Sequence, residues 1–175
     1  GIGEIGAIDH RAFAWFMGLR YRQRLAKVAR YVSCSGDGYL YVALPLLLVL
    51  LNFSYSILFL QCVCVGFGIE RIIYYVLKKG CKRRRPPEAI PGFTSFIQAN
   101  DRFSFPSGHT SGAFLLITLI VCIFGSAFLP LYFWAVLVGL SRVFLGVHFP
   151  GDVVVGAVLG VAVGYGVVIN SEIFL

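Results

Sequence analysis

Apolar residues in this chain come in long blocks rather than at amphipathic intervals. Five stretches, at about 39–52, 54–77, 107–124, 129–145 and 152–169, run nearly free of charge. Several approach the roughly 20 residues an α-helix needs to cross the hydrocarbon of a bilayer. Pro45 interrupts the first. The second carries Glu70 and Arg71, adjacent in sequence and so expected on different faces. Charges at that depth are costly in lipid, and they are expected to face protein or a wet cavity. The last stretch reads GAVLGVAVGYG from Gly156 to Gly166, a spacing of small residues that admits a close neighbour. The pattern predicts an all-α, polytopic transmembrane bundle of about five spans, with no internal repeat.

Residues 8–33 depart from that pattern. Arg11, Arg20, Arg22, Arg24, Lys27 and Arg30 are mixed with Phe13, Trp15, Phe16, Met17, Leu25 and Val28. Helices of this kind lie in the interface, with cations towards headgroups and rings towards acyl chains. One membrane-embedded domain is expected over 1–175, with 8–33 an interfacial amphipathic segment and 35–170 the helical core. The composition agrees: 58% hydrophobic and 13% charged residues leave too little polar surface for a water-soluble domain. The chain opens at Gly1 with no run resembling a signal peptide, so an upstream segment is left open. The cysteines at 34, 62, 64, 81 and 122 lack zinc-type spacing. Cys62, Cys64 and Cys122 are expected to pack as small hydrophobes. Cys34 and Cys81 flank spans, and only geometry decides whether they pair.

Five spans impose a sidedness. The N-terminal segment, the 78–106 loop and the 146–151 turn fall on one face. All fifteen Lys and Arg residues lie at 11–30, 71–102 or 142, on or near that face, and only Glu172 is charged on the other.

Three separated pieces meet there. Lys78 and Arg85-Pro86 head the polar loop, Pro106-Ser107-Gly108-His109 opens the third span, and Ser141-Arg142 closes the fourth, followed by His148 and Asp152. Singly, each has a plain explanation as a topology signal, a lipid clamp or a helix start. Together they form an inventory for phosphate chemistry. Arginine supplies a bidentate fork and lysine a point charge. A helix N-terminus adds free N–H groups and the positive dipole end, with Pro106 losing no useful donor and Gly108 allowing close approach. Two imidazoles can divide acid, base or nucleophile roles. An aspartate can hold one of them in a single tautomer.

These pieces, K-x6-R-P from Lys78 to Pro86, P-S-G-H from Pro106 to His109 and S-R-x5-H-x3-D from Ser141 to Asp152, resemble the signature of the type 2 phosphatidic acid phosphatase superfamily, related to vanadium-dependent haloperoxidases. All three match without substitution, and the resemblance covers roughly residues 35–170. It implies that His148 is the nucleophile on phosphorus, oriented by Asp152, and that His109 protonates the leaving group. Lys78, Arg85, Ser107, Gly108 and Arg142 would bind the phosphoryl oxygens, and water would cleave the phosphohistidine. No metal or cofactor is implied. Many bacterial members carry a further span before the interfacial segment, so that helix is expected to be absent or removed here.

The expected activity is hydrolysis of a phosphate or diphosphate from a lipid headgroup. Polyprenyl diphosphate, phosphatidylglycerol phosphate, phosphatidic acid and a lipid A phosphate all qualify. Lys79, Lys82, Arg83 and Arg84 suggest either a strongly anionic headgroup or anchoring to anionic lipids. The alternatives are haloperoxidase-like chemistry and an anion or phospholipid transporter using the same basic cavity. Expected partners are the lipid phosphate and membrane lipids, without nucleic acid or an obligatory protein partner. The resemblance favours a bacterial inner membrane with the site facing the periplasm or the outside, although the cluster at 11–30 would by the positive-inside rule argue for the cytoplasm.

Overall fold

The computed structural model describes residues 2–19, 22–99 and 101–171, and the side chains of residues 6–19 and 23 onwards within those ranges. Arg20, Glu172 and the side chain of Arg22, all used above, lie outside the described residues. The described chain is helical: α1 (Ile2–Met17), α2 (Arg22–Ser35), α3 (Tyr39–Leu50), α4 (Ser56–Cys81), α5 (Pro86–Ala89), α6 (Gly108–Phe124), α7 (Tyr132–Phe144) and α8 (Pro150–Ile169), with a 3-10 stretch, Ser126–Leu131, leading into α7. No strand occurs among the described residues. The apolar blocks became α3, α4, α6, α7 and α8. Their ends follow local chemistry: α4 runs past Leu77 and stops where Lys82 turns left-handed at φ 46°, and α6 stops at Gly125 with φ 107°.

By length and composition Ser56–Ala89, Ser126–Phe144 and Pro150–Ile169 can cross a membrane, and α6 is a shorter apolar helix. The first expected span needs refinement. At 12 residues α3 is short, and it meets the criteria only jointly with Gln23–Ser35, from which it is bent by 43°. The break falls at Gly36-Asp37-Gly38. Thus α2 is both the basic, amphipathic helix expected from its sequence and one arm of a bent pair. It buries Ala26, Ala29 and Ser33 and packs against α7.

The core is centred on α6. Ala113, Leu115, Leu116, Ile117 and Leu119 are buried among Phe59, Cys62, Ala135, Val138 and Val163. The closest packing is of α6 against α8. A Cβ at Gly156 would sit 2.6 Å from the Ser107 carbonyl oxygen, and one at Gly160 would collide with that of Ser111. The glycine pattern therefore has its partner, and the two backbones touch where no side chain intervenes. Outward-facing Ile57, Ile72, Val76, Phe133, Val154 and Val158 are more than 60% exposed, as a lipid-facing surface requires. Cys34 and Cys81 are both exposed and unbonded.

Glu70 and Arg71 lie on different faces of α4 and still pair: Arg71 Nε and Nη2 donate to Glu70 Oε2 and Oε1 at 2.5 and 2.8 Å. Two long side chains bridge the angular gap between neighbouring helix positions. Glu70 is fully buried and also accepts from Ser111 Oγ at 2.5 Å, while Arg71 lines a cavity. One faces protein and the other a wet space, as the cost of burying charge demands.

Candidate active site

Four helix ends meet at one end of the bundle: the C-termini of α4 and α7 and the N-termini of α6 and α8. Three main-chain bonds between segments hold them there: Ser104 N–H to the Arg83 carbonyl (2.9 Å), Phe96 N–H to Leu145 (3.0 Å) and Ser107 N–H to Asp152 (3.0 Å). The N-termini of α6 and α8 are thereby pinned side by side, and both direct their positive dipole ends at the same region.

A cavity of about 1050 Å³ opens there. Of the eight residues singled out from the sequence, Arg85, Gly108, His109, Arg142 and His148 line it. Lys78, Ser107 and Asp152 stand behind that lining. Ser107 was expected to offer a free N–H, but that donor is spent on Asp152, and its hydroxyl accepts from Thr110 Oγ1 at 2.9 Å. The reason is the tight α6–α8 contact, which brings a carbonyl onto the first turn of α6.

His148 follows the turn at Gly146, where φ is 75°. A Cβ there would also strike the Phe93 ring, so glycine is required twice over. Its Nδ1 lies 3.7 Å from Asp152 Oδ2, beyond hydrogen-bond reach, while Nε2 lies 3.4 Å from Arg85 Nη1. A proton on Nδ1 would face the carboxylate and leave the Nε2 lone pair towards the cavity. Burial pushes the imidazole pKa down to about 4; Asp152 opposes this, and Arg85 and Arg142 add to the fall. The ring is therefore neutral at ordinary pH.

Asp152 is itself held from several sides. Its Oδ2 accepts from the Phe149 N–H at 2.8 Å and from Ser104 Oγ, and its Oδ1 from Arg83 Nη1 at 2.8 Å. Arg83 continues to Asp9 Oδ2 at 2.6 Å, and Asp9 Oδ1 takes the Gly151 N–H at 2.8 Å. This withdraws Arg83 from the group of surplus cations proposed to meet a headgroup. Lys79, Lys82 and Arg84 remain exposed and outside the cavity lining.

The remaining cations are unevenly engaged. Arg142 Nη1 donates to Ser33 Oγ at 2.6 Å, while its buried Nε has no partner. Arg85 donates from Nη1 to the Val147 carbonyl at 2.6 Å and from Nε to that of Asp101 at 3.0 Å. The Asp101 carboxylate bridges Arg85 Nη2 and Lys78 Nζ. His109 Nε2 lies 2.8 Å from Asp37 Oδ1.

Four acidic or polar partners were thus missed: Asp9, Asp37, Asp101 and Ser104. Their signal was only partly available. So many buried cations require counter-charges, but Glu70 and Glu88 lie nearer the motifs in sequence than Asp9 or Asp37, so proximity alone would not have chosen these three.

A neutral imidazole beside two guanidinium groups, two helix N-termini and a second imidazole can hold a tetrahedral anion and attack its centre. Comparisons with known proteins point the same way. The family model described as the PAP2 superfamily matches residues 59–172, well over half of the chain. A lipid A 4'-phosphatase of Bacteroides thetaiotaomicron is 38% identical over 60 residues, covering 33% of this chain and 27% of that protein. Phosphatidylglycerophosphatase B of Bacillus subtilis is 37% identical over 106 residues, covering 54% and 49%. The chain thus spans about a quarter to a half of the length of these curated relatives. Across nearly the whole fold, the crystal structure of a transmembrane PAP2 type phosphatidylglycerolphosphate phosphatase from Bacillus subtilis superposes with TM-score 0.77 and 26% identity, covering 97% of this chain and 87% of that one.

Proposed function

The chain belongs to the PAP2 superfamily, and from that premise and the site geometry we propose that it is an integral membrane hydrolase that removes phosphate from a lipid headgroup through a phosphohistidine. The observation that carries this reading is the adjacency of two unlike spaces. The cavity with the charged side chains shares Gly38, Tyr41, Val42 and Phe67 with an apolar groove of about 440 Å³, which Leu46, Leu60, Val63 and Cys64 complete between α3 and α4. A charged head and a greasy tail fit the two together, and neither a soluble phosphate nor an uncharged lipid would need both.

In this mechanism the phosphoryl group sits against Arg142, Arg85 and the Gly108 end of α6, with Lys78 behind them. His148 Nε2 attacks phosphorus, and the P–O bond to the lipid breaks. His109, steadied by Asp37, gives its proton to the departing oxygen. Asp152 stabilises the charge that develops on His148. Water, deprotonated by His109, then cleaves the P–N bond and releases inorganic phosphate. Ser107 acts by fixing the two helix N-termini rather than by touching the phosphate.

The test is phosphate release from a panel of lipid phosphates in detergent, with and without EDTA. Activity insensitive to EDTA and lowered at least about a thousandfold in His148→Ala is expected, as for loss of a nucleophile. Acid-labile protein-bound phosphate should be trapped in the parent and vanish in His148→Ala; its persistence there would sink the assignment. The reading also includes a bacterial inner membrane with the site outward. Exposed Cys81 lies at the site end of α4, so a membrane-impermeant maleimide should label it in intact cells, and labelling only after lysis would reverse the orientation.

A further inference from the structure

Two of the cations assigned to the phosphate are already holding an anion. Asp101, in the loop between α5 and α6, accepts from Lys78 Nζ at 2.6 Å through Oδ2 and from Arg85 Nη2 through Oδ1. Tyr74 OH adds a bond to Oδ2 at 2.9 Å. Lys78 and Arg85 are buried, whereas the aspartate is 41% exposed and lines the cavity. Half-burial raises its pKa, but the two cationic donors outweigh this and hold it down to about 2. It is therefore an anion at any pH the protein meets.

A carboxylate spanned by an ammonium and a guanidinium presents to them the geometry of two phosphoryl oxygens. A phosphate cannot take the same donors while that carboxylate stays, because like charges in contact at a partly dry site repel strongly. Arg142 also lines the cavity and is not bound to this carboxylate.

We propose that Asp101 is an internal anion that competes with the substrate's phosphate for Lys78 and Arg85, making binding an exchange of one anion for another. This rests on the assignment of Lys78 and Arg85 to the phosphate. The incoming group meets Arg142 first and then displaces Asp101 from Arg85, beside His148 Nε2. When the reaction ends, the returning carboxylate helps expel inorganic phosphate. Asp101 thus sets how strongly an anion must bind to enter, and guards against product inhibition.

The experiment compares inhibition by inorganic phosphate and by orthovanadate in the full chain in detergent. Asp101→Asn should tighten both by about tenfold and lower KM, while Asp101→Glu, which keeps the charge, stays near the parent. Phosphate affinity unchanged or weakened in Asp101→Asn overturns the proposal. Melting temperature with and without saturating phosphate is read in parallel: the phosphate-induced rise should grow in Asp101→Asn, and an equal or smaller rise means that Asp101 only braces the loop. If Lys78→Ala and Arg85→Ala instead bind phosphate like the parent, the phosphate assignment itself fails, independently of Asp101.

Discussion

His148 depends on a chain of charges that begins far from it in sequence. Asp152 faces its Nδ1, Arg83 holds Asp152, and Asp9 holds Arg83. Arg83 does not line the cavity, so its loss should loosen the carboxylate without weakening phosphate binding. Arg83→Ala is expected to cut kcat about ten- to hundredfold with KM nearly unchanged, as for a small misplacement of a reacting group. A rise in KM with kcat intact would instead put Arg83 at the headgroup. Protonation of His148 gives a second prediction. Its pKa falls from 6.5 to about 4, so the imidazole stays neutral as pH drops through the ordinary histidine range and becomes charged only near 4. Nitrogen-15 spectra of the ligand-free protein in nanodiscs, recorded midway between those values, should show a neutral ring with the proton on Nδ1. A charged ring there would contradict the burial argument.

Among the helices, α6 and α8 matter most, because the P-S-G-H motif opens α6 and His148 and Asp152 flank the start of α8. Their alignment rests on contact between backbones. Gly160→Ala must push the helices apart at Ser111 and is expected to cost about 1–3 kcal/mol, as overpacking does. The effect should reach the site, since the bond from Ser107 N–H to the Asp152 carbonyl lies farther along the same seam. Gly166, on the same helix, has open space where a Cβ would go. Gly166→Ala should leave melting temperature and kcat/KM close to the parent. Equal effects from the two substitutions would mean that helix propensity, not the seam, is being measured.

Taken whole, the molecule sets a charged cavity at one end of an apolar bundle, with an apolar groove adjoining it between α3 and α4. Leu46 lines only the groove and is 47% exposed, so a larger ring there should be tolerated. Leu46→Trp is expected to raise KM severalfold for a long-chain lipid phosphate while leaving hydrolysis of a tailless aryl phosphate unchanged. Loss of both together would point to a misfolded bundle rather than a filled groove.

The apolar helices and the family motifs were legible in the linear order, because each is local. A run of apolar residues declares a helix in lipid wherever it lies, and His148 and Asp152 share one helix start. The three motifs could be read as one site because they fall on one membrane face. Partnership across the fold was not legible. Nothing local distinguishes Arg83, which braces Asp152, from exposed Lys82 and Arg84 beside it. Nor does it show that Asp101 sits on Lys78 and Arg85, or that the Ser107 N–H is already taken. Those outcomes depend on which helix ends meet and in what rotation. That was settled by backbone contact at Gly156 and Gly160 and by the need of each buried charge to find its opposite.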